Sequence, residues 1–247
     1  MIHLANVKKT FNMEQPNEYT AVDGVNLTLQ ENRVTVLQGP SGSGKTTLLS
    51  LIGCMVRPTS GRIKLRLNGG IPGFPFGSGA PENGEPSDLE VTSLPERFLT
   101  GIRRKTFGFV FQQFHLVRGL SALENVMLPA YPLGEPLGVM RKRAIDIMET
   151  LSISHRASAK VEWLSGGEAQ RIAIARALMN DPPVIIADEP TAHLDTALSH
   201  EFMLIVSDLK GMGKTAIIAS HDPLVCESSV VSDIVTVRNG RVIGHAV

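Results

Sequence analysis

Apolar positions along the chain follow two periods, and the switches between them divide it into segments. Over residues 1–64, short runs at 2–7, 25–29 and 34–37 alternate apolar and polar positions, the pattern of strands with a buried face. Leu48, Leu49, Leu51 and Ile52 then recur at helical spacing, and "GRIKLRL" returns to strand alternation. From Asn68 to Pro95 the composition turns rich in glycine and proline, which predicts a long surface insertion without a helix or a central strand. Helical pieces fill 96–163; in "GVMRKRAIDIMETLSIS" the residues Val139, Ala144, Ile145, Met148 and Leu151 define one apolar face. From Pro183 onward "VIIAD", "LSHEFMLIVSDL", "TAIIAS" and "SDIVTVRNGRVI" alternate strand and helix, the last a hairpin turning at Asn239-Gly240. There is no internal repeat and no heptad array. The pattern predicts a single α/β domain spanning 1–247, with its core in 1–95 and 164–247 and a helical subdomain inserted at 96–163.

Composition narrows this only a little. With 43% hydrophobic and 19% charged residues among 247, the chain has ample material for a core. Its 24 basic and 24 acidic residues cancel, so no nucleic-acid partner is expected, and Arg141, Lys142 and Arg143 read as the solvated face of a helix. Cys54 and Cys226 have no metal-ligand spacing. The N-terminus lacks the apolar core of a signal peptide, and no run approaches 18 apolar residues. A soluble, cytoplasmic protein is expected, one that reaches a membrane only through a partner.

The candidate chemistry sits in three stretches. In "VTVLQGPSGSGKTTLLSLIG", Gly39, Gly44, Lys45 and Thr46 match G-x-x-x-x-G-K-[ST] between an apolar run and an apolar-periodic helix. Such a loop, Gly39, Pro40, Ser41, Gly42, Ser43, Gly44, Lys45, Thr46 and Thr47, curls backbone N–H groups around a polyphosphate at a helix N-terminus. Lys45 would bridge the β- and γ-phosphates, and the Thr46 hydroxyl would ligate Mg²⁺. The unbroken apolar run 184–187 ends in Asp188-Glu189-Pro190, as a buried parallel strand does when it delivers carboxylates at its C-terminal edge. Asp188 is then assigned to Mg²⁺ through its water shell, and Glu189 to orienting and deprotonating an attacking water. In "LSGGEAQRIAIARALMN", Ser165 and Glu168 form a capping box, and Gly166 and Gly167 leave room for another molecule to approach the backbone.

Taken in order, the phosphate loop, "LSGGE" and "IIADEPTAHLD" resemble an ATP-binding cassette (ABC) ATPase over nearly the whole chain, except roughly Asn68 to Pro95. The resemblance implies a phosphate-loop core, with a mixed sheet flanked by helices, an N-terminal antiparallel β part and the inserted helical subdomain. It also implies further site residues: Gln112 of "FGFVFQQFHL" as sensor of the γ-phosphate and Mg²⁺, Asp195 in the loop before the next helix, His221 of "ASHD" on the γ-phosphate, and Phe11 stacking on adenine. Ser165, Gly166, Gly167 and Glu168 are implied to hold the ATP bound by a second copy, giving a dimer around two ATP molecules. The chain departs from the family pattern at Glu168, where glutamine is commonest, at Phe11, usually tyrosine, and at Ala192 and His193. "GFVFQQFHLVRGLSALENVMLP" is most similar to the lipoprotein-releasing, macrolide-exporting and cell-division group, whose cassettes work with a membrane-spanning permease subunit at the cytoplasmic face of the inner membrane. Two readings stay open at this point: a transporter ATPase, or a regulatory cassette whose membrane partner transports nothing. A chromosome-organising or DNA-repair ATPase does not fit, because no coiled coil separates phosphate loop and signature.

Overall fold

Strands buried on both faces read as unbroken apolar runs, whereas strands buried on one face alternate, and both kinds occur in the chain. The computed structural model describes residues 1–66, 88–192 and 194–246. In chain order the elements are β1 (Ile2–Phe11), β2 (Tyr19–Leu29), β3 (Val34–Gln38), α1 (Lys45–Ile52), β4 (Ser60–Leu65), β5 (Leu89–Glu90), α2 (Glu96–Thr106) and β6 (Phe107–Val110). They continue with α3 (Ala122–Met127), α4 (Leu137–Thr150), α5 (Gly166–Leu178), β7 (Val184–Asp188), α6 (Thr196–Gly211), β8 (Thr215–Ser220), α7 (Pro223–Cys226), β9 (Asp233–Arg238) and β10 (Arg241–Ala246).

One sheet is antiparallel, in the order β2-β1-β4-β5; the other runs β10-β9-β3-β8-β7-β6 and is parallel except for the β9/β10 hairpin. Alternation along the central strands feeds two apolar clusters on opposite faces. Val34, Val36, Ile185, Ala187, Ala216 and Ile218 point to the cluster that also holds α3, α4, α5 and α6 residues. Leu37, Val184, Ile186, Ile217 and Ala219 point to the other, shared with α1, α2 and the antiparallel sheet. This two-sided burial explains why "VIIAD" and "TAIIAS" show no polar alternation.

The hairpin forms as expected: Asn239 and Gly240 have φ of 50° and 75°, the pair of left-handed residues that a two-residue type I′ turn requires. Its tip serves the phosphate loop as well, since Gly240 N donates to Ser43 O at 2.9 Å and Asp23 N donates to Gly240 O at 2.8 Å.

Two expectations meet differences. The stretch 96–163 contains a core strand: β6 pairs in parallel with β7 from Phe107↔Val184 to Val110↔Ala187 and closes one edge of the larger sheet. Its four residues are too few to show a period between two helical stretches. Within the insertion, β5 adds a two-residue edge strand to β4, and 67–87 lie outside the described residues. On α4 the buried stripe is Met140, Ala144 and Met148, continued by Leu151, while Val139 is 54% exposed. Val139 sits one residue, about 100°, away from that stripe.

These positions separate on substitution. Met148→Ala is expected to lower the unfolding free energy by about 2–5 kcal/mol, the usual cost of emptying a core site, whereas Val139→Ser should stay within about 0.5 kcal/mol. Urea unfolding followed by circular dichroism measures both, and equal losses would contradict the assigned face.

Candidate active site

Parallel pairing fixes the site before any side chain is considered. Leu37 and Gln38 of β3 lie level with Ala219 and Ser220 of β8, and Asp188 of β7 also lies opposite Ala219. The loop after β3, the end of β7 and the end of β8 therefore open on one edge, where ligands of open α/β sheets bind.

The phosphate loop runs from β3 into α1. A Cβ on Gly39 would run into Val237 O of β9, and one on Gly44, whose φ is 103°, into Ala21 O of β2. Glycine is required at both places because the loop is wedged between the two sheets. Within it Ser43 N donates to Pro40 O at 3.2 Å, and Leu48 N donates to Gly44 O at 2.9 Å, so the helix is already wound at Gly44. Ser41 and Gly42 are exposed, Thr47 is half-buried, and Ser43 Oγ is buried without a hydrogen-bond partner inside the loop. An orphaned hydroxyl among N–H groups at a helix N-terminus fits a phosphate cradle.

Lys45 is 5% exposed; its Nζ donates to Gly39 O at 2.7 Å and Pro40 O at 3.1 Å, and lies 3.3 Å from Glu189 Oε1. A buried ammonium held this way supplies fixed positive charge at the loop. Beside it, Thr46 Oγ1 donates to Asp188 Oδ1 at 3.1 Å. Burial pushes the Asp188 carboxyl above its ordinary range; the Thr46 bond opposes this and the nearby Glu189 charge adds to it. A hydroxyl and a carboxylate oxygen converging beside the loop suit Mg²⁺, which takes few protein ligands and shares phosphate oxygens. Among the described residues no group of three His, Cys, Asp or Glu side chains could hold a metal alone.

Glu189 has φ of 45°, a left-handed conformation that non-glycine residues hold mainly where surrounding structure imposes it. Its N donates to Ala219 O at 2.9 Å, and Oε2 is 2.9 Å from His221 Nδ1. Two neighbouring sets thus share this edge, Thr46 with Asp188 and Lys45 with Glu189 and His221. Gln112 is exposed in the turn two residues after β6, the strand next to β7, and none of these hydrogen bonds reaches it. Phe11 ends β1 opposite Tyr19, with ring centroids 5.3 Å apart and planes 21° apart, and Lys9 Nζ is 4.9 Å from the Phe11 centroid. Tyr19 escaped the sequence reading because only strand register brings it to Phe11, whereas Lys9 shares that face two residues back along β1.

The α5 N-terminus stands apart. Ser165 Oγ accepts from Glu168 N at 3.4 Å and Glu168 Oε2 accepts from Ser165 N at 2.8 Å, which completes the capping box. Glu168 Oε1 also accepts from Arg156 Nε at 2.6 Å, a partner that no motif indicated. The Ser165 N–H bond and then Arg156 hold the Glu168 carboxyl down at about 2. Gly167 is buried against Leu198 of α6, with a Cβ placed only 2.6 Å from Leu198 Cδ2, so its glycine answers packing within the chain, while Gly166 is exposed. Asp195 caps α6 by accepting from Leu198 N at 2.9 Å; His193 lies outside the described residues.

Because the folded carboxyl of Glu168 titrates near 2 and an ordinary one near 4.5, its ionisation stabilises the fold fully above about pH 4.5 and is lost as pH falls towards 2. The Tm difference between the unaltered chain and Glu168→Gln should be constant above about pH 5 and shrink as pH drops below about 4.5. Thermal unfolding at stepped pH measures it, and a difference that widens with acid would contradict the bond set.

Comparison with known proteins agrees with this geometry. A family model described as "ABC transporter" matches residues 22–192. An uncharacterized ABC transporter ATP-binding protein of Bacillus subtilis, YvrO, is 37% identical over 98% of this chain and 96% of its own length. A macrolide export ATP-binding/permease protein of Chlorobaculum tepidum is also 37% identical over 98% of this chain, which spans only 34% of that relative. In structure, the dimeric post-hydrolysis state of the ATP-binding cassette MJ0796, bound to ADP and Pi, superposes with a TM-score of 0.83 at 35% identity, covering 100% of this chain and 98% of that one. Its sequence is from Methanocaldococcus jannaschii. With sheet order, phosphate loop and capped signature helix all in place, the chain belongs to the ABC transporter family.

Proposed function

We propose that the chain is the ATP-binding and ATP-hydrolysing subunit of an exporter or lipoprotein-release transporter. It closes with a second copy around two ATP molecules and passes that closure to a membrane-spanning permease at the cytoplasmic face. The observation that carries the reading is a division of labour in one chain: the Thr46–Asp188 pair and the Lys45–Glu189–His221 set gather at one sheet edge, while the side chains of Ser165 and Glu168 bond to each other and to Arg156. A helix N-terminus with an exposed Gly166 is free to hold the phosphate of a nucleotide cradled by another copy.

In the reaction, loop N–H groups and Lys45 hold the polyphosphate and offset the charge developing on the transferred phosphoryl group. Glu189 takes a proton from water as the water oxygen bonds to the γ-phosphorus and the bond to the bridging oxygen breaks, releasing ADP and phosphate. His221, bonded to Glu189, orients that carboxylate and contacts the γ-phosphate. Thr46 and Asp188, with Gln112, would hold Mg²⁺, which neutralises phosphate charge when bound. Phe11 offers a ring for the adenine. Loss of the γ-phosphate removes the bridge between copies and lets them part.

Relatives named as ATP-binding/permease proteins support a permease as partner, and the dimeric MJ0796 cassettes support closure with a second copy. Among the described residues no helix is long and apolar enough to cross a membrane, in keeping with a partner that does.

Glu189→Gln should still bind ATP yet hydrolyse it at least about a hundredfold more slowly, the scale of losing a positioned base. Size-exclusion chromatography with light scattering on this variant should show a monomer becoming a dimer when ATP and Mg²⁺ are added. Turnover near that of the unaltered chain would remove Glu189 from its role, and a variant that binds ATP without dimerising would contradict closure by the subunit alone.

A further inference from the structure

The turn that carries Glu189 is tied to two other elements. Gln170 lies on α5 five residues beyond the N-cap Ser165, is 3% exposed, and donates from Nε2 to Pro190 O at 2.9 Å. Thr191, also buried, donates from Oγ1 to Asp222 Oδ2 at 2.8 Å. Asp222 follows His221, donates its N–H to Ser220 Oγ at 3.0 Å and caps α7 through Leu224 N. The tripeptide Glu189-Pro190-Thr191 is therefore held on one side by the signature helix and on the other by the residue next to His221.

These ties matter because Glu189 sits in a left-handed conformation, which persists only where the surroundings impose it. Pro190 has no N–H and a fixed φ, so its carbonyl is the one backbone group through which this residue can be anchored. Gln170 takes that carbonyl. A helix moves as a rigid unit, so a shift of the α5 N-terminus reaches Pro190 through a side chain packed in the interior rather than through a mobile loop.

We infer that Gln170 is a positioning residue that conveys engagement of the α5 N-terminus to Glu189, so that the carboxylate serving one ATP is set correctly when the same chain's Ser165 and Gly166 are engaged by the other. This rests on the reading that the α5 N-terminus holds the nucleotide of a second copy. The two sites of the dimer then report to each other through the Gln170–Pro190 bond of each chain.

The test compares the full chain with Gln170→Leu, which keeps volume and removes the donor, and Gln170→Met as a second variant should the first fold poorly. Initial rates of hydrolysis against ATP concentration give kcat and the Hill coefficient, and ATP binding to the monomer without Mg²⁺ gives Kd. Expected are a Hill coefficient above 1 in the unaltered chain falling to about 1, kcat falling about 10- to 100-fold as the base is misplaced, and Kd within about twofold. A merely structural role would lower kcat and leave the Hill coefficient unchanged, which overturns the inference, as do unchanged kcat and Hill coefficient together. The dimer itself is read separately in Glu189→Gln: absence of ATP-dependent dimerisation overturns the underlying reading, whereas normal dimerisation with an unchanged Hill coefficient in Gln170→Leu overturns this inference alone.

Discussion

Level parallel pairing of β3, β8 and β7 is the constraint on which everything else in this molecule rests. It is enforced by burial: each of the three strands sends residues into both apolar clusters, so a slip by one residue would exchange the two faces of every strand. With register fixed, the phosphate loop, the Asp188-Glu189 pair and His221 emerge from one edge at one height. No side-chain interaction among them has to provide that alignment.

On this frame the electrostatics are arranged by burial. Lys45 is nearly inaccessible and faces two backbone carbonyls and the Glu189 carboxylate, while burial pushes the Asp188 carboxyl above its ordinary range. Anionic and cationic groups thus lie within hydrogen-bond reach of one another in a partly water-excluded place, where charge interactions are stronger than at the surface. Both sheets contribute by proximity: Ala21 of β2 and the β9–β10 turn press on Gly44 and Ser43, so the loop is buttressed from outside its own strand.

The helical layer holds the α5 N-terminus at a different place. Its signature helix is capped by Ser165 and Glu168, braced by Arg156, packed on α6 through Gly167 and joined to the Glu189 turn by Gln170. An exposed helix end is thereby joined by a buried bond to Pro190, the residue after the left-handed Glu189.

The sequence by itself determined the local pieces: the phosphate loop, the capping box of Ser165 and Glu168, the apolar strand ending in Asp188-Glu189, and the Asn239-Gly240 turn. Each leaves its mark within a few consecutive positions, where spacing and residue type record it directly. Other features depend on who lies opposite whom. The four-residue strand β6 takes its identity from pairing with β7; Tyr19 meets Phe11 across two strands; Val139 faces out because the helical stripe is set by what α4 packs against. The same holds for Arg156 beside Glu168, Gln170 beneath Pro190 and Thr191 against Asp222, pairs separated by 12, 20 and 31 residues. No periodicity encodes such pairs, because their geometry arises only after two buried faces have selected one packing, and that choice belonged to the tertiary structure alone.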